Sequence, residues 1–101
     1  MAPRLDLQAK LRDILGLDNV YFQPPANISL QYPCIIYERA RMDMKYADNS
    51  TYAHTRRYKV TVIDRNPDSD LVDKIAALPL CSHDVFFTAD NLNHDVFTLY
   101  F

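Results

Sequence analysis

Two strand-like segments joined by a polar run constrain the fold of this chain more than any other feature. Residues 34–41 begin apolar on both faces and end polar, whereas residues 55–64 begin polar and become apolar. Between them, residues 40–55 contain no aliphatic side chain larger than alanine except two methionines. Because the polar ends meet in an antiparallel pair, the pattern predicts a long hairpin whose tip, residues 42–52, projects from the domain.

The N-terminal segment predicts a helix over residues 4–15. Its apolar residues form one stripe at helical spacing: Leu7, Leu11, Ile14 and Leu15. Gly16, the single glycine of the chain, follows this stripe, where helices often end on a left-handed residue. Residues 17–31 then form a connector, in which residues 20–22 are a candidate short edge strand that Pro24 and Pro25 end.

A second helix is predicted to start at Asn66, with Asn66 as the N-cap and Pro67 at the first helical position. Three aspartates place negative charge near the positive end of its dipole: Asp68, Asp70 and Asp73. The apolar stripe consists of Leu71, Ile75 and Leu78. Pro79 ends this predicted helix.

The C-terminal segment predicts a second hairpin, with strands over residues 84–89 and 94–101 and a turn-rich segment over residues 90–93. The last strand is apolar on both faces. We therefore expect both faces to be covered, by helices or by a neighbouring subunit.

These elements predict one α+β domain over residues 1–101, in the order α-β-β-α-β-β. The predicted sheet is mainly antiparallel and four-stranded, with two helices and a long projecting hairpin between its first two strands.

Composition excludes several classes of function. The formal net charge is −2, without the basic excess of a typical nucleic-acid binder. One glycine is too few for a P-loop or a dinucleotide-binding loop. No apolar run approaches the roughly 20 residues that span a membrane, and no signal peptide is recognisable. We expect a reducing cytoplasm, with Cys34 and Cys81 free and buried.

Histidine and cysteine form no recognisable site. His54, His83 and His94 fall in different predicted elements, and we expect them in exposed turns rather than around a metal. Cys34 and Cys81 have apolar neighbours, which raise the pKa of a thiol and make it inert. The sequence therefore predicts no catalytic residue, no metal and no cofactor.

Basic side chains concentrate on the outer half of the long predicted hairpin, with two tyrosines among them. This basic hairpin surface consists of Arg39, Arg41, Lys45, Tyr46, Tyr52, Arg56, Arg57 and Lys59. It is either a solvated edge whose charges block unwanted strand pairing, or a contact surface. Arg and Tyr are enriched at interfaces, so the contact would be an acidic protein or the wall of a nucleic-acid channel.

Four segments together resemble a known family: residues 20–25 (VYFQPP), 32–39 (YPCIIYER), 58–69 (YKVTVIDRNPDS) and 90–94 (DNLNH). In this order they resemble the small tail-terminator or tail-completion proteins of long-tailed bacteriophages. The resemblance extends over nearly the whole chain, and it includes the predicted order of elements.

The resemblance implies a structural virion protein without enzymatic activity. Proteins of this kind form a ring, commonly a hexamer, that caps the tail tube, ends its polymerisation and joins the tail to the head connector. The implied partners are further copies of the chain, the major tail tube protein and the head-completion or connector protein. DNA passes through such a ring without sequence-specific binding, and no membrane is involved. The implied location is the head-proximal end of the virion tail, after assembly in the host bacterial cytoplasm.

Two alternatives stay open. The chain is a head-completion or head–tail connector protein, or, from another class, a small cytoplasmic ligand-binding domain or hydrolase. The scattered His, Asp and Cys residues argue against the second of these.

Overall fold

Two helices and five strands make up most of what the computed structural model describes, which is residues 3–40 and 56–101. In chain order they are α1 (Pro3–Leu15), β1 (Val20–Phe22), β2 (Cys34–Arg39), β3 (Arg57–Asp64), α2 (Leu71–Ala76), β4 (Cys81–Ala89) and β5 (Leu92–Tyr100). The predicted α+β class is confirmed.

The sheet has the order β1-β2-β3-β5-β4 and is mixed. β1 pairs in parallel with β2, and every other neighbouring pair is antiparallel. The prediction of four strands in the order α-β-β-α-β-β is therefore wrong by one strand. Residues 20–22 do form an edge strand, and the connector that follows, 23–33, returns the chain so that β2 runs in the same direction.

α1 ends as the sequence predicts. Gly16 has a φ of 77°, and its N–H donates to the carbonyl of Arg12 at 2.8 Å. Glycine adopts this left-handed conformation without the steric penalty of a Cβ. Leu7 and Leu11 are fully buried, so the apolar stripe faces the sheet.

α2 begins at Leu71, and the predicted start at Asn66 is wrong. The Asn66 side chain accepts a hydrogen bond from the N–H of Asp68 at 3.0 Å, and the Ser69 hydroxyl accepts one from the N–H of Leu71 at 3.3 Å. Such local bonds hold the backbone in turns that compete with a helix. Asp70 therefore becomes the N-cap residue, without a side-chain cap bond, and Asp68 lies outside the helix.

The strands of both hairpins begin and end at residues other than those predicted. In the second, Asp90 and Asn91 form a two-residue turn with φ values of 54° and 63°, the pattern of a type I′ turn. Both of its strands are longer than predicted, and residues 92 and 93 belong to β5. In the first hairpin, β2 ends at Arg39 and β3 begins at Arg57, and the predicted tip lies outside the described residues.

The main core lies between the two helices and one face of the sheet, which we call the helix face. Its sheet residues occupy matched positions on three adjacent strands: Ile35, Tyr37, Tyr58, Val60, Val62, Phe97 and Leu99. The helices contribute Leu7, Leu11, Leu71 and Ile75. On the opposite face, here called the open face, Tyr21 accepts a hydrogen bond from the N–H of Gln31 at 3.4 Å, so the connector covers the β1 end.

Two substitutions of the same kind on α1 test this core. Leu11→Ala removes a fully buried side chain and is expected to lower the free energy of unfolding by about 2–5 kcal/mol, because it leaves a cavity. Leu5→Ala, at a side chain 56% exposed, is expected to change it by less than about 1 kcal/mol. Chemical denaturation measures both, and equal effects would contradict the position of α1.

Candidate interaction surfaces

The described members of the basic hairpin surface gather at one end of the sheet. Arg39 is the last residue of β2, and Arg57 is the first of β3. Arg56 exchanges two backbone hydrogen bonds with Phe101, each 3.0 Å long, which brings the end of the chain beside them. The remaining predicted members lie outside the described residues: Arg41, Lys45, Tyr46 and Tyr52.

The described basic residues of this surface differ in how accessible they are: Arg39, Arg56, Arg57 and Lys59. Arg39, Arg56 and Lys59 are exposed, whereas Arg57 is half-buried beside Tyr100, its partner on β5. Lys59 lies directly opposite Glu38 on the open face, an arrangement of opposite charges that favours the pairing of β2 with β3. The positive charge available to a partner therefore comes mainly from Arg39 and Arg56.

The sequence did not reveal a second surface, on edge strand β4. Val85, Phe86 and Phe87 are 47, 51 and 44% exposed, and every β4 residue after Cys81 is exposed. We call these three side chains the β4 apolar triplet. Large apolar side chains clustered on an uncovered strand are typical of a contact surface.

The triplet occupies both faces of the sheet. Val85 lies opposite Val96, and Phe87 lies opposite His94, on the open face. The Phe87 ring stacks on the His94 imidazole, with centroids 4.6 Å apart and planes 13° apart. Phe86 lies opposite Asp95, on the helix face. A partner that covers the triplet must therefore reach both sides of the strand.

The sequence predicts that both faces of the last strand are covered, by helices or by a neighbouring subunit. In β5 this prediction is met only in part. Val96 and Phe97 point to opposite faces and are both buried, with exposures of 6 and 0%. β5 lies between β3 and β4, so its neighbours help to cover it. Of the two strands of the second hairpin, it is β4 whose side chains are exposed in the described part of the chain.

Two histidines lie in strands, so the prediction of turn histidines is wrong for them. His83 on β4 lies within hydrogen-bonding distance of Asp95 on β5, with Nε2 and Oδ1 3.0 Å apart. His94 lies in β5, and His54 is outside the described residues. A register shift between His83 and Val85 displaces Asp84, which accepts a hydrogen bond from the Thr98 hydroxyl. Within residues 3–40 and 56–101, no three His, Cys, Asp or Glu side chains gather as metal ligands do.

The two cysteines are free thiols, as predicted. Cys34 is buried on the open face, and burial raises its pKa to about 11, with a smaller contribution from the negative charge of Asp64. Cys81 is half-buried rather than buried, and burial also raises its pKa, with Asp84 contributing. A raised pKa keeps both thiols protonated and weakly nucleophilic near neutral pH.

An open depression lies beside the end of α1. Arg12, Asp13, Gly16 and Asp18 line it. Arg12 and Asp18 already form an ion pair across it, with both side chains largely exposed. Their charges therefore satisfy one another instead of converging on a ligand.

Neither helix in the described part of the chain is long and apolar enough to cross a membrane. Comparisons of the chain with protein-family models, with curated proteins and with solved structures gave no match.

Thiol labelling tests the two cysteine environments. At pH 8 a soluble disulfide reagent is expected to modify Cys81 well before Cys34, because Cys34 is 0% exposed and its pKa is about 11. The raised pKa of Cys34 also predicts that this thiol lowers the free energy of unfolding as the pH rises from about 9 toward 11, because the unfolded thiol ionises first. Peptide mass spectrometry locates the label, and equal labelling rates in the folded protein would contradict the burial of Cys34.

Proposed function

We propose that this chain is a structural subunit of a bacteriophage tail, a tail terminator that forms a ring of six copies. The ring caps the tail tube, ends its polymerisation and joins the tail to the head. Its partners are further copies of the chain, the major tail tube protein and the head-completion or connector protein. Its place is the head-proximal end of the virion tail, and it assembles in the cytoplasm of the host bacterium.

The β4 apolar triplet is the observation that carries this proposal. An uncovered strand with aromatic side chains on both faces invites pairing with other chains, and monomeric proteins usually blunt such an edge with charges or cover it. Phenylalanine exposed in this way is typical of the buried centre of an interface. Such an edge provides a contact surface for a protein that assembles with other chains.

A second surface, which we call the basic end, is formed by Arg39, Arg56 and Lys59. It is well separated from the β4 apolar triplet. His94, opposite Phe87, and Tyr100, opposite Arg57, are both on β5. They are about 20 Å apart along the strand, at roughly 3.3 Å per residue. Two separate surfaces allow one subunit to bind copies of itself and a different virion component at the same time.

The charge of the basic end suits a passage for DNA better than a sequence-reading site. The chain as a whole carries a net charge of −2, so the positive charge of Arg39, Arg56 and Lys59 is local. Local positive charge screens the phosphates of a passing duplex, whereas strong binding needs many such contacts. Contact with an acidic face of the tube or connector uses the same residues.

Removing the chain from the phage that encodes it tests the function directly. Tails are expected to grow beyond their normal length and to stay detached from heads, because nothing ends polymerisation of the tube. Electron microscopy of the lysate measures both properties. Normal-length tails without heads would instead identify a connector, and normal infectious particles would contradict both roles.

Charge reversal at the basic end tests which surface joins the tail. Arg39→Glu combined with Arg56→Glu is expected to lower the yield of infectious particles about tenfold or more, because like charges facing each other across an interface are strongly unfavourable. Arg57 is left unchanged because it is half-buried and its replacement would disturb the sheet.

The matched control reverses Lys10, an exposed residue of α1 far along the chain from the basic end. Lys10→Glu is expected to leave the yield of particles unchanged. Complementation of the deleted phage by each variant provides the measurement, with circular dichroism to verify folding. Wild-type yield from the double variant would count against the basic end as a joining surface.

A further inference from the structure

Two exposed arginines share the helix face at one end of the sheet. Arg39 lies opposite Tyr58, a core residue of that face. Arg56 exchanges backbone hydrogen bonds with Phe101, which packs against the same core. Arg56 is two residues before Tyr58 along the chain, so Arg39 and Arg56 are diagonal neighbours across the two strands. Such neighbours have Cα atoms about 7–8 Å apart.

Arg4 brings a third positive charge to this end from α1. Its guanidinium carbon lies 4.5 Å from the centre of the Phe22 ring, and its Nη1 lies 3.5 Å from the hydroxyl of Tyr37. Phe22 lies opposite Tyr37 on β2, and Arg39 follows Tyr37 by two residues on the same face. Arg4 is not part of the basic hairpin surface that the sequence predicts. We call Arg4, Arg39 and Arg56 the arginine cluster.

The charge of the arginine cluster is not neutralised within the described residues. None of its three guanidinium groups has a carboxylate of those residues within ion-pair distance. Glu38 lies opposite Lys59 on the open face, away from the cluster. Asp6 follows Arg4 by two residues in α1, a spacing that does not place two side chains on one face of a helix. Like charges held together repel one another, so an anionic partner would stabilise this arrangement.

The chemistry of this surface fits the backbone of a nucleic acid better than it fits a protein. Protein interfaces have an apolar centre that is poor in charged residues. In the described part of the chain, no exposed large apolar side chain lies on β2, β3 or β5. Protein–DNA interfaces are polar and positively charged, and most of their hydrogen bonds go to phosphate and sugar. Guanidinium groups suit such contacts because they bind phosphate through two parallel hydrogen bonds.

From these observations we infer that the arginine cluster binds the phosphate backbone of double-stranded DNA without reading its sequence. Each arginine neutralises about one phosphate, so the contact releases about three counterions. The choice of DNA as the polyanion rests on the proposed function, in which DNA passes through the ring. The positive surface itself does not depend on that function. Lys59 lies on the open face and stays outside the contact.

The salt dependence of DNA binding by the purified chain tests this inference. Fluorescence anisotropy of a labelled duplex of mixed sequence measures the association constant over a range of low salt concentrations. The logarithm of this constant is expected to fall with the logarithm of the salt concentration, with a slope of about −2.7 for three contacts. A fourfold increase in salt is then expected to weaken binding about 40-fold.

Single substitutions assign the contacts to residues. Arg4→Gln, Arg39→Gln and Arg56→Gln are each expected to make the slope less steep by about 0.9, because one counterion fewer is released. Arg12→Gln is the matched control: it removes the same charge from α1, about 12 Å along the helix from Arg4. The control is expected to leave the slope unchanged, and circular dichroism verifies the fold of each variant.

Two further measurements identify the kind of partner. Duplexes of unrelated sequence are expected to bind equally, and a strong preference between them would contradict backbone recognition. Poly-glutamate at the same charge concentration is expected to compete poorly with the duplex. If it displaces the duplex efficiently, the DNA assignment is overturned, and the cluster is a contact for an acidic protein.

The result for DNA binding is separable from the result for the tail. Absence of binding at low salt, or a slope that the three substitutions leave unchanged, overturns the inference. Overlong, detached tails after deletion of the chain would still support the terminator role in that case. Salt-dependent binding through the arginine cluster, by a chain whose deletion leaves tails normal, supports the inference and overturns the tail role.

Discussion

The position of Tyr37 determines how the helix, the parallel strand and the centre of the sheet fit together. This side chain is fully buried, and its hydroxyl donates to Oε1 of Gln8 on α1. The amide of Gln8 in turn donates to the carbonyl of Val20 on β1. The ring lies 4.9 Å from that of Phe22 and 6.0 Å from that of Tyr58, and burial raises the pKa of the phenol. A buried hydroxyl left without a partner is costly, so α1 and β1 cannot shift independently. The same bonds that fix β1 also close its outer edge, which makes β4 the open edge of the sheet.

The parts of the fold that the sequence predicts are those set by local pattern. The stripe of α1 and the glycine that ends it depend on residues close in sequence, and the polarity gradient along β2 and β3 aligns their ends. The parallel pairing of β1 depends on where the connector crosses, which no pattern of residues 20–22 reveals. The predicted start of α2 is wrong because asparagine can either cap a helix or form a turn. The hydrogen bond between the Asn66 side chain and the N–H of Asp68 selects the turn.

For the candidate surfaces too, the sequence predicts what local pattern sets and does not predict what depends on contacts between distant segments. Clustered basic residues near a hairpin are visible in the sequence, and Arg39, Arg56 and Lys59 are indeed exposed at one end of the sheet. The half-burial of Arg57 comes from its place opposite Tyr100, a contact between distant segments. The β4 apolar triplet gave a signal, since three apolar residues stand together before a turn. β5 contains a similar group of apolar residues. Which of the two strands lies at the edge of the sheet depends on which of them pairs with β3.

The strength of a contact through β4 follows from how much apolar surface it can remove from water. Full burial of one large apolar side chain contributes about 1.5–3 kcal/mol, and the triplet is already about half-buried in each copy. Three such side chains on one partner supply only a few kcal/mol, while association costs on the order of 4–15 kcal/mol in lost freedom. A partner strand that is itself apolar adds a comparable contribution and backbone hydrogen bonds, which brings the opposing terms close to balance. The β4 edge is thus better suited to a reversible contact than to a permanent one.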